Sequence, residues 1–170
     1  MLLRDAHNRI IRDLRVSLTD RCNFRCFYCL PNGEPPLARK DTILTFEEIV
    51  EICEIFVSLG IEKIRLTGGE PLLRKDIEKL VEKIAQLKNP KSEIQSPKLI
   101  DLALTTNGFS LPVRAKDLKR AGLDRVTISL DSLKPEKFKE ITGVDKLTEV
   151  LDAIEAAQNA DVNPVRINAV

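Results

Sequence analysis

The sequence predicts an α/β fold in which parallel strands alternate with helices and stop after a fifth strand. Two observations carry this. The hydrophobic period switches repeatedly between two residues and about 3.6 along the chain, and cap and turn residues fall at the switches. A third observation sets the curvature. Parallel strands covered on both faces read as continuous apolar runs, and these strands do not.

Leu14–Thr19 reads as the first strand and Thr45–Leu59 as a helix, with Thr45 and Glu48 spaced as a capping box and Gly60 as its stop. Ile61–Thr67 is the second strand. Ile77, Leu80, Val81, Ile84 and Leu87 mark one face of a second helix. The polar stretch from Lys88 to Lys98 reads as an exposed loop. Leu99–Thr105 is a third strand, Pro112–Ala121 a short helix ended by Gly122, and Leu123–Leu130 a fourth strand. Leu147, Val150, Leu151, Ile154 and Ala157 define a last helix before the fifth strand, Val162–Val170.

Leu14, Val16 and Leu18 alternate with Arg15, Ser17 and Thr19; Ile64 and Leu66 with Lys63, Arg65 and Thr67. The fourth strand sets Val126, Ile128 and Leu130 against Thr127, Ser129 and Asp131, and the fifth sets Val165, Ile167 and Ala169 against Arg166 and Asn168. One face of the sheet is therefore apolar and the other polar. Helices would cover the apolar face. The polar face carries Arg15, Lys63, Arg65 and Arg166, so a curved sheet or partial barrel with a basic lumen would suit an anionic ligand. The alternative is a solvated outer face of an open sheet.

The composition is that of a globular chain: 170 residues, 43% hydrophobic and 31% charged. Twenty-seven basic side chains against 26 acidic ones give a net charge of +1, which argues against a broad nucleic-acid surface. No apolar run reaches membrane-span length and no signal-peptide core opens the chain. A cytoplasmic protein, with no membrane partner, is the expectation. There, four cysteines point to metal or catalysis rather than disulfides.

Cys22, Cys26 and Cys29 follow the first strand with C-x₃-C-x₂-C spacing. Thiolates suit zinc or iron–sulfur clusters. Cys53 lies on the apolar stripe with Ile49, Val50, Phe56 and Val57 and reads as core. Three thiolates leave one metal position open for a ligand. A zinc knuckle with His7 as fourth ligand, or inert thiols, are the alternatives, but no downstream ligand pair completes a zinc pattern. Further motifs end the later strands: Gly68-Gly69-Glu70-Pro71, then Thr105-Thr106-Asn107-Gly108, then Ser129-Leu130-Asp131. Each is weak alone. Together they collect ligand-competent residues at the strand C-termini, the face where parallel α/β folds carry their sites.

The cysteine spacing resembles the radical S-adenosylmethionine superfamily. That resemblance implies an incomplete TIM-like barrel, the radical SAM core domain, over residues 1–170. It also implies a [4Fe–4S] cluster on Cys22, Cys26 and Cys29 whose open iron chelates S-adenosylmethionine, an electron donor, and release of a 5′-deoxyadenosyl radical. Within the superfamily, IRDLRVSLTDRCNFRC over residues 11–26, KIRLTGGEPL over 63–72 and LTTNG over 104–108 resemble the GTP 3′,8-cyclase family of molybdenum-cofactor biosynthesis. Carried over by motif, Tyr28, Gly69 and Ser129 fall on family S-adenosylmethionine positions, and Arg15, Arg65 and Thr105 on GTP positions. Arg166 stands where the family commonly has a GTP-binding lysine; it keeps the charge but replaces a point ammonium with a planar fork. A homodimer is a further possibility of the resemblance. The family's second [4Fe–4S] cluster, on three C-terminal cysteines, has no counterpart here, so the sequence reads as the N-terminal part of a longer chain or as a truncated gene product. Two other functions compete: another radical enzyme of the superfamily, such as a peptide-modifying maturase, which needs no triphosphate site, and a non-enzymatic thiolate metal-binding module.

Overall fold

The computed structural model describes residues 2–29, 37–89 and 98–170, so most of the Lys88–Lys98 loop lies outside the described residues. Five strands, β1 (Asp13–Ser17), β2 (Lys63–Thr67), β3 (Asp101–Thr106), β4 (Arg125–Ser129) and β5 (Val165–Asn168), form one parallel sheet in the order β1-β2-β3-β4-β5. Every strand lies beside its predecessor. With no reversal of strand order, right-handed crossovers keep all connecting helices on one side, which is how a barrel wall is wound.

The helices are α1 (Phe46–Ser58), α2 (Ile77–Ala85), α3 (Ala115–Arg120), α4 (Pro135–Thr142) and α5 (Leu147–Asn159). The capping box of α1 forms as predicted: Glu48 N–H donates to Thr45 Oγ1 at 3.2 Å, and Thr45 N–H donates to Glu48 Oε2 at 2.7 Å. Ile49, Cys53 and Val57, one helical turn apart, are the residues that α1 buries. Helix α2 buries Ile77, Leu80, Val81 and Ile84, and α5 buries Leu147, Val150, Ala153 and Ala157. These meet Ile64, Leu66, Leu102, Leu104, Val126 and Ile128 from the sheet in a single core.

Two differences from the sequence reading have clear causes. The fifth strand is shorter than Val162–Val170: Val162 is buried in the approach, and pairing begins only at Val165, after Pro164, which has no amide hydrogen to give to the ladder. Helix α4 was not predicted. It is short and polar and buries only Phe138 and Thr142, so its hydrophobic period is faint. Its signals are its ends, Pro135 in the first turn and Gly143 with φ 73° after the last.

Register stacks the polar face into rows. Asp13 pairs with Lys63 and Lys63 with Asp101; Arg15 pairs with Arg65, Arg65 with Ala103 and Ala103 with Arg125. Nearer the strand C-termini, Thr105 pairs with Thr127 and Thr127 with Arg166, then Ser129 with Asn168. No helix among the described residues is long and apolar enough to cross a membrane.

Candidate active site

The loop after β1 carries the three cysteines, and its main chain is fixed from two sides. On one side Gly69 N–H donates to Thr19 O at 2.6 Å and Glu70 N–H to Arg21 O at 2.7 Å. On the other, the end of α4 offers carbonyls that have no partner inside the helix. Arg25 N–H donates to Thr142 O at 2.8 Å and Phe27 N–H to Ile141 O at 3.1 Å. Phe24 and Phe138 meet edge to face, with ring centroids 6.1 Å apart. The helix that the sequence hid is thus half of the clamp on the cysteine loop.

Gly69 is small because the two loops touch. A Cβ there would lie 2.6 Å from the Arg21 carbonyl carbon, and backbone cannot give way as a side chain would. Gly69→Ala should push the GGE turn off the cysteine loop, at about 1–3 kcal/mol of stability, with a lower capacity for iron. Chemical denaturation and iron analysis of the same preparation check this; an unchanged midpoint and full iron loading would contradict it.

Glu70 holds the far side. Its side chain is buried, and its carboxylate accepts from Thr106 Oγ1 at 2.7 Å, Asn107 N–H at 2.7 Å and Leu72 N–H at 3.0 Å. It ties the end of β2 to the end of β3. Burial pushes its pKa up, and the three donors pull it back. Asn107 continues the chain of contacts: its Oδ1 accepts from Phe109 N–H at 3.1 Å, which turns its amide nitrogen to Asn23 Oδ1 at 2.8 Å and Cys22 Sγ at 3.8 Å.

Cys22, Cys26, Cys29, Tyr28, Gly69 and Ser129 line one cavity of about 200 Å³, with Glu70, Asn107 and Asp131 also on its wall. Burial raises the pKa of the Cys22 and Cys26 thiols; the charges of Glu70 and then Cys29 add to it at Cys22, and those of Cys29 and Cys22 at Cys26. Loading a metal group there must release those protons. Cys53 stands apart in the core, fully buried and pushed up to about 12 by burial. Among the described residues no three acidic, His or Cys side chains sit at the spacing of one metal ion. The three thiols that line the cavity are soft donors, of the kind that hold an iron–sulfur group. Tyr28 OH donates to Asp131 Oδ2 at 2.8 Å, and its pKa is raised, first by burial and then by that bond.

A second cavity of about 380 Å³ opens on the polar face, lined by Arg15, Lys63, Arg65, Arg125, Asp13, Asp101, Thr105, Thr127 and Asn168. Thr105 and Asn168 belong to both cavities, so the two adjoin. Arg65 Nη1 donates to Thr127 Oγ1 at 3.3 Å. Its pKa is pushed down by burial first, and then by Arg125, Arg15 and Arg166. Among the described residues the buried hydroxyl of Thr105 has no partner. A cluster of guanidiniums that repel one another beside an unsatisfied hydroxyl is a site shaped for an anion.

Of the predicted residues, Arg15, Arg65 and Thr105 meet in this cavity, whereas Arg166 is exposed and outside its lining, close enough only to act on Arg65 by its charge. Sequence reasoning missed Arg125 and the Asp101 that binds it. Arg125 stands two residues before Thr127 on β4, but nothing local shows that Asp101 meets it. It also missed the clamp by Glu70, whose burial no local pattern displays.

Residues 16–170 match the family model of the radical SAM superfamily, and the chain belongs to that superfamily. Within it, the chain is similar to proteins named GTP 3′,8-cyclase. It is 47% identical to that of Heliobacterium modesticaldum over 166 residues, covering 98% of this chain and 48% of the relative. It is likewise 47% identical to that of Thermodesulfovibrio yellowstonii over 169 residues, covering 99% and 50%. The chain thus spans about half the length of the curated relatives it matches. Solved structures agree on the fold. SuiB of Streptococcus suis, bound to S-adenosylmethionine, superposes with a TM-score of 0.73 at 19% identity over 92% of this chain and 33% of that one. HydG, a maturase of the [FeFe]-hydrogenase, gives 0.71 at 15% identity over 93% and 34%.

Proposed function

We propose that this chain is the radical SAM core domain of a GTP 3′,8-cyclase, the enzyme for the first step of molybdenum-cofactor biosynthesis. The observation that carries the reading is the junction of the two cavities at Thr105 and Asn168, with thiols on one side and guanidiniums on the other. Cys22, Cys26 and Cys29 would hold the [4Fe–4S] cluster. Tyr28, Gly69 and Ser129 would border S-adenosylmethionine, and Arg15, Arg65, Thr105 and Arg166 would meet GTP. When bound, cluster and cofactor, fed by an external electron donor, would supply the radical that takes the ribose 3′ hydrogen; C3′ would then close on C8 of guanine as the C8=N7 double bond opens, with one further electron from the donor and a proton completing the product. The chain's own residues position the partners. Arg15 and Arg65 neutralise phosphate charge, Thr105 gives its free hydroxyl a partner, and the clamped loops hold the cluster end of the cavity. In this reading a second cluster and most guanine recognition belong to residues beyond these 170.

Charge-assisted hydrogen bonds to phosphate contribute about 1.5–3 kcal/mol each. Arg65→Ala should therefore weaken GTP binding by roughly one to two orders of magnitude, while discrimination between GTP and ATP stays poor in both forms. Equilibrium binding of both nucleotides tests this. Binding untouched by Arg65→Ala would place the phosphates elsewhere, and strong GTP selectivity would place base recognition within this chain.

A further inference from the structure

Arg125 occupies the cavity on the polar face but belongs to none of the motifs that mark the site. Its Nε donates to Asp101 Oδ1 at 2.7 Å and its Nη2 to Asp101 Oδ2, so one edge of the guanidinium is spent on a carboxylate. The pair is largely buried, at 13% and 17% exposure. Nη1, on the other edge, is shut off from bulk solvent and has no hydrogen-bond partner among the described residues. A buried donor left unpaired is costly, and here it belongs to a side chain that lines a cavity.

Register places Arg125 in one row with Ala103, Arg65 and Arg15. Ala103 contributes only a methyl, so the row is two adjacent guanidiniums, a gap, and a third. Lys63 and Asp13 are register neighbours on the same wall and offset each other, and Asp101 offsets Arg125. The lining keeps an excess of two positive charges, those of Arg15 and Arg65, with the free edge of Arg125 beside them.

Resting on the nucleotide reading above, we infer that Arg125, aimed by Asp101, binds the terminal phosphate of a nucleoside triphosphate and sets the preference for triphosphate over diphosphate. Direction along the strands decides which phosphate. In that reading the reacting sugar would lie toward the thiol cavity, which Ser129 lines at the C-terminal end of β4. Arg125 precedes Ser129 by four residues on β4, about 13 Å at ~3.3 Å per residue. A phosphate chain running from the sugar toward the row of Arg15, Arg65 and Arg125 brings its last phosphate there. A fork with one edge fixed by a carboxylate presents the other in a set direction, which a lysine would not.

The test is equilibrium binding of GTP, GDP and inorganic tripolyphosphate to the chain, to Arg125→Ala, Arg125→Lys and Asp101→Asn, with thermal unfolding of each. Arg125→Ala should weaken GTP and tripolyphosphate by roughly 10- to 100-fold and GDP by less than about three-fold. Arg125→Lys and Asp101→Asn should shift the GTP-to-GDP ratio the same way by a smaller factor. Equal weakening of GTP and GDP in a folded variant overturns the inference. Should Arg125→Ala not fold, Arg125→Lys decides: it keeps the charge and lacks the fork, and an unchanged ratio there overturns the inference as well. If the chain binds tripolyphosphate but not GTP, and the Arg125 variants lose the tripolyphosphate, the phosphate assignment stands and the nucleoside reading falls.

Discussion

Replacing any one of Cys22, Cys26 and Cys29 with alanine should abolish the iron–sulfur cluster after anaerobic reconstitution, together with its brown charge-transfer absorption. Cys53→Ala should retain both. The contrast follows from position. The first three line a single cavity on a loop bound by backbone contacts to the GGE turn and to α4. Cys53 is packed between α1 and the sheet, where burial keeps its thiol protonated at any working pH. Iron and sulfide analysis with absorption spectra of the four variants measures this. Iron loss in Cys53→Ala as complete as in the others would overturn the ligand assignment, and zinc in place of iron in the chain as isolated would favour the metal-binding module.

The largest effect on stability should come from Glu70→Ala. Three donors, Thr106 Oγ1 and the amides of Leu72 and Asn107, would lose the acceptor that Glu70 gives them in a buried place. Each unsatisfied group costs about 1–3 kcal/mol, and the sum is comparable to the whole stability of a typical domain, about 5–15 kcal/mol. Glu70→Ala should therefore be largely unfolded or retained only in aggregates. Glu70→Gln keeps an acceptor oxygen and should fold, with a lower denaturation midpoint. Since burial raises the folded-state pKa of Glu70, its carboxyl favours folding most below the ordinary glutamate value and loses that advantage as pH rises through the folded pKa. The stability of wild type relative to Glu70→Gln should decline over that interval. A Glu70→Ala protein with a wild-type midpoint would show that the clamp carries little.

The sheet and the cysteine loop were legible because both are written locally. Period-two alternation in β1, β2 and β4 assigned Arg15, Arg65 and Thr127 to one face before any contact was known, and C-x₃-C-x₂-C needs only adjacent residues. What stayed hidden depends on register or burial. Arg125 and Asp101 lie 24 residues apart and meet only because Ala103 pairs with Arg125 across two strands. Arg166 alternates as Arg65 and Thr127 do, and β5, the last strand of the sheet, leaves its side chain exposed, which alternation alone does not display. Glu70 looked like the polar end of a glycine turn, and nothing in the string shows that it is buried. Helix α4 has one large apolar anchor, Phe138, and its work is done by carbonyls, which every residue has.

The bonds around the cysteine loop also make cluster binding a report on folding. The loop takes partners from Thr67, Gly69 and Glu70 on one side and from Ile141 and Thr142 on the other, so its bound geometry exists only when segments more than a hundred residues apart have docked. An unfolded chain presents the same three thiols without that frame. A ligand that prefers the native arrangement stabilises it by mass action, and the stabilisation is felt wherever the frame is anchored. Loss of iron to oxygen or a chelator should therefore loosen α4 and the GGE turn together, and amide exchange at Arg25, Phe27 and Gly69 would register it before any global unfolding.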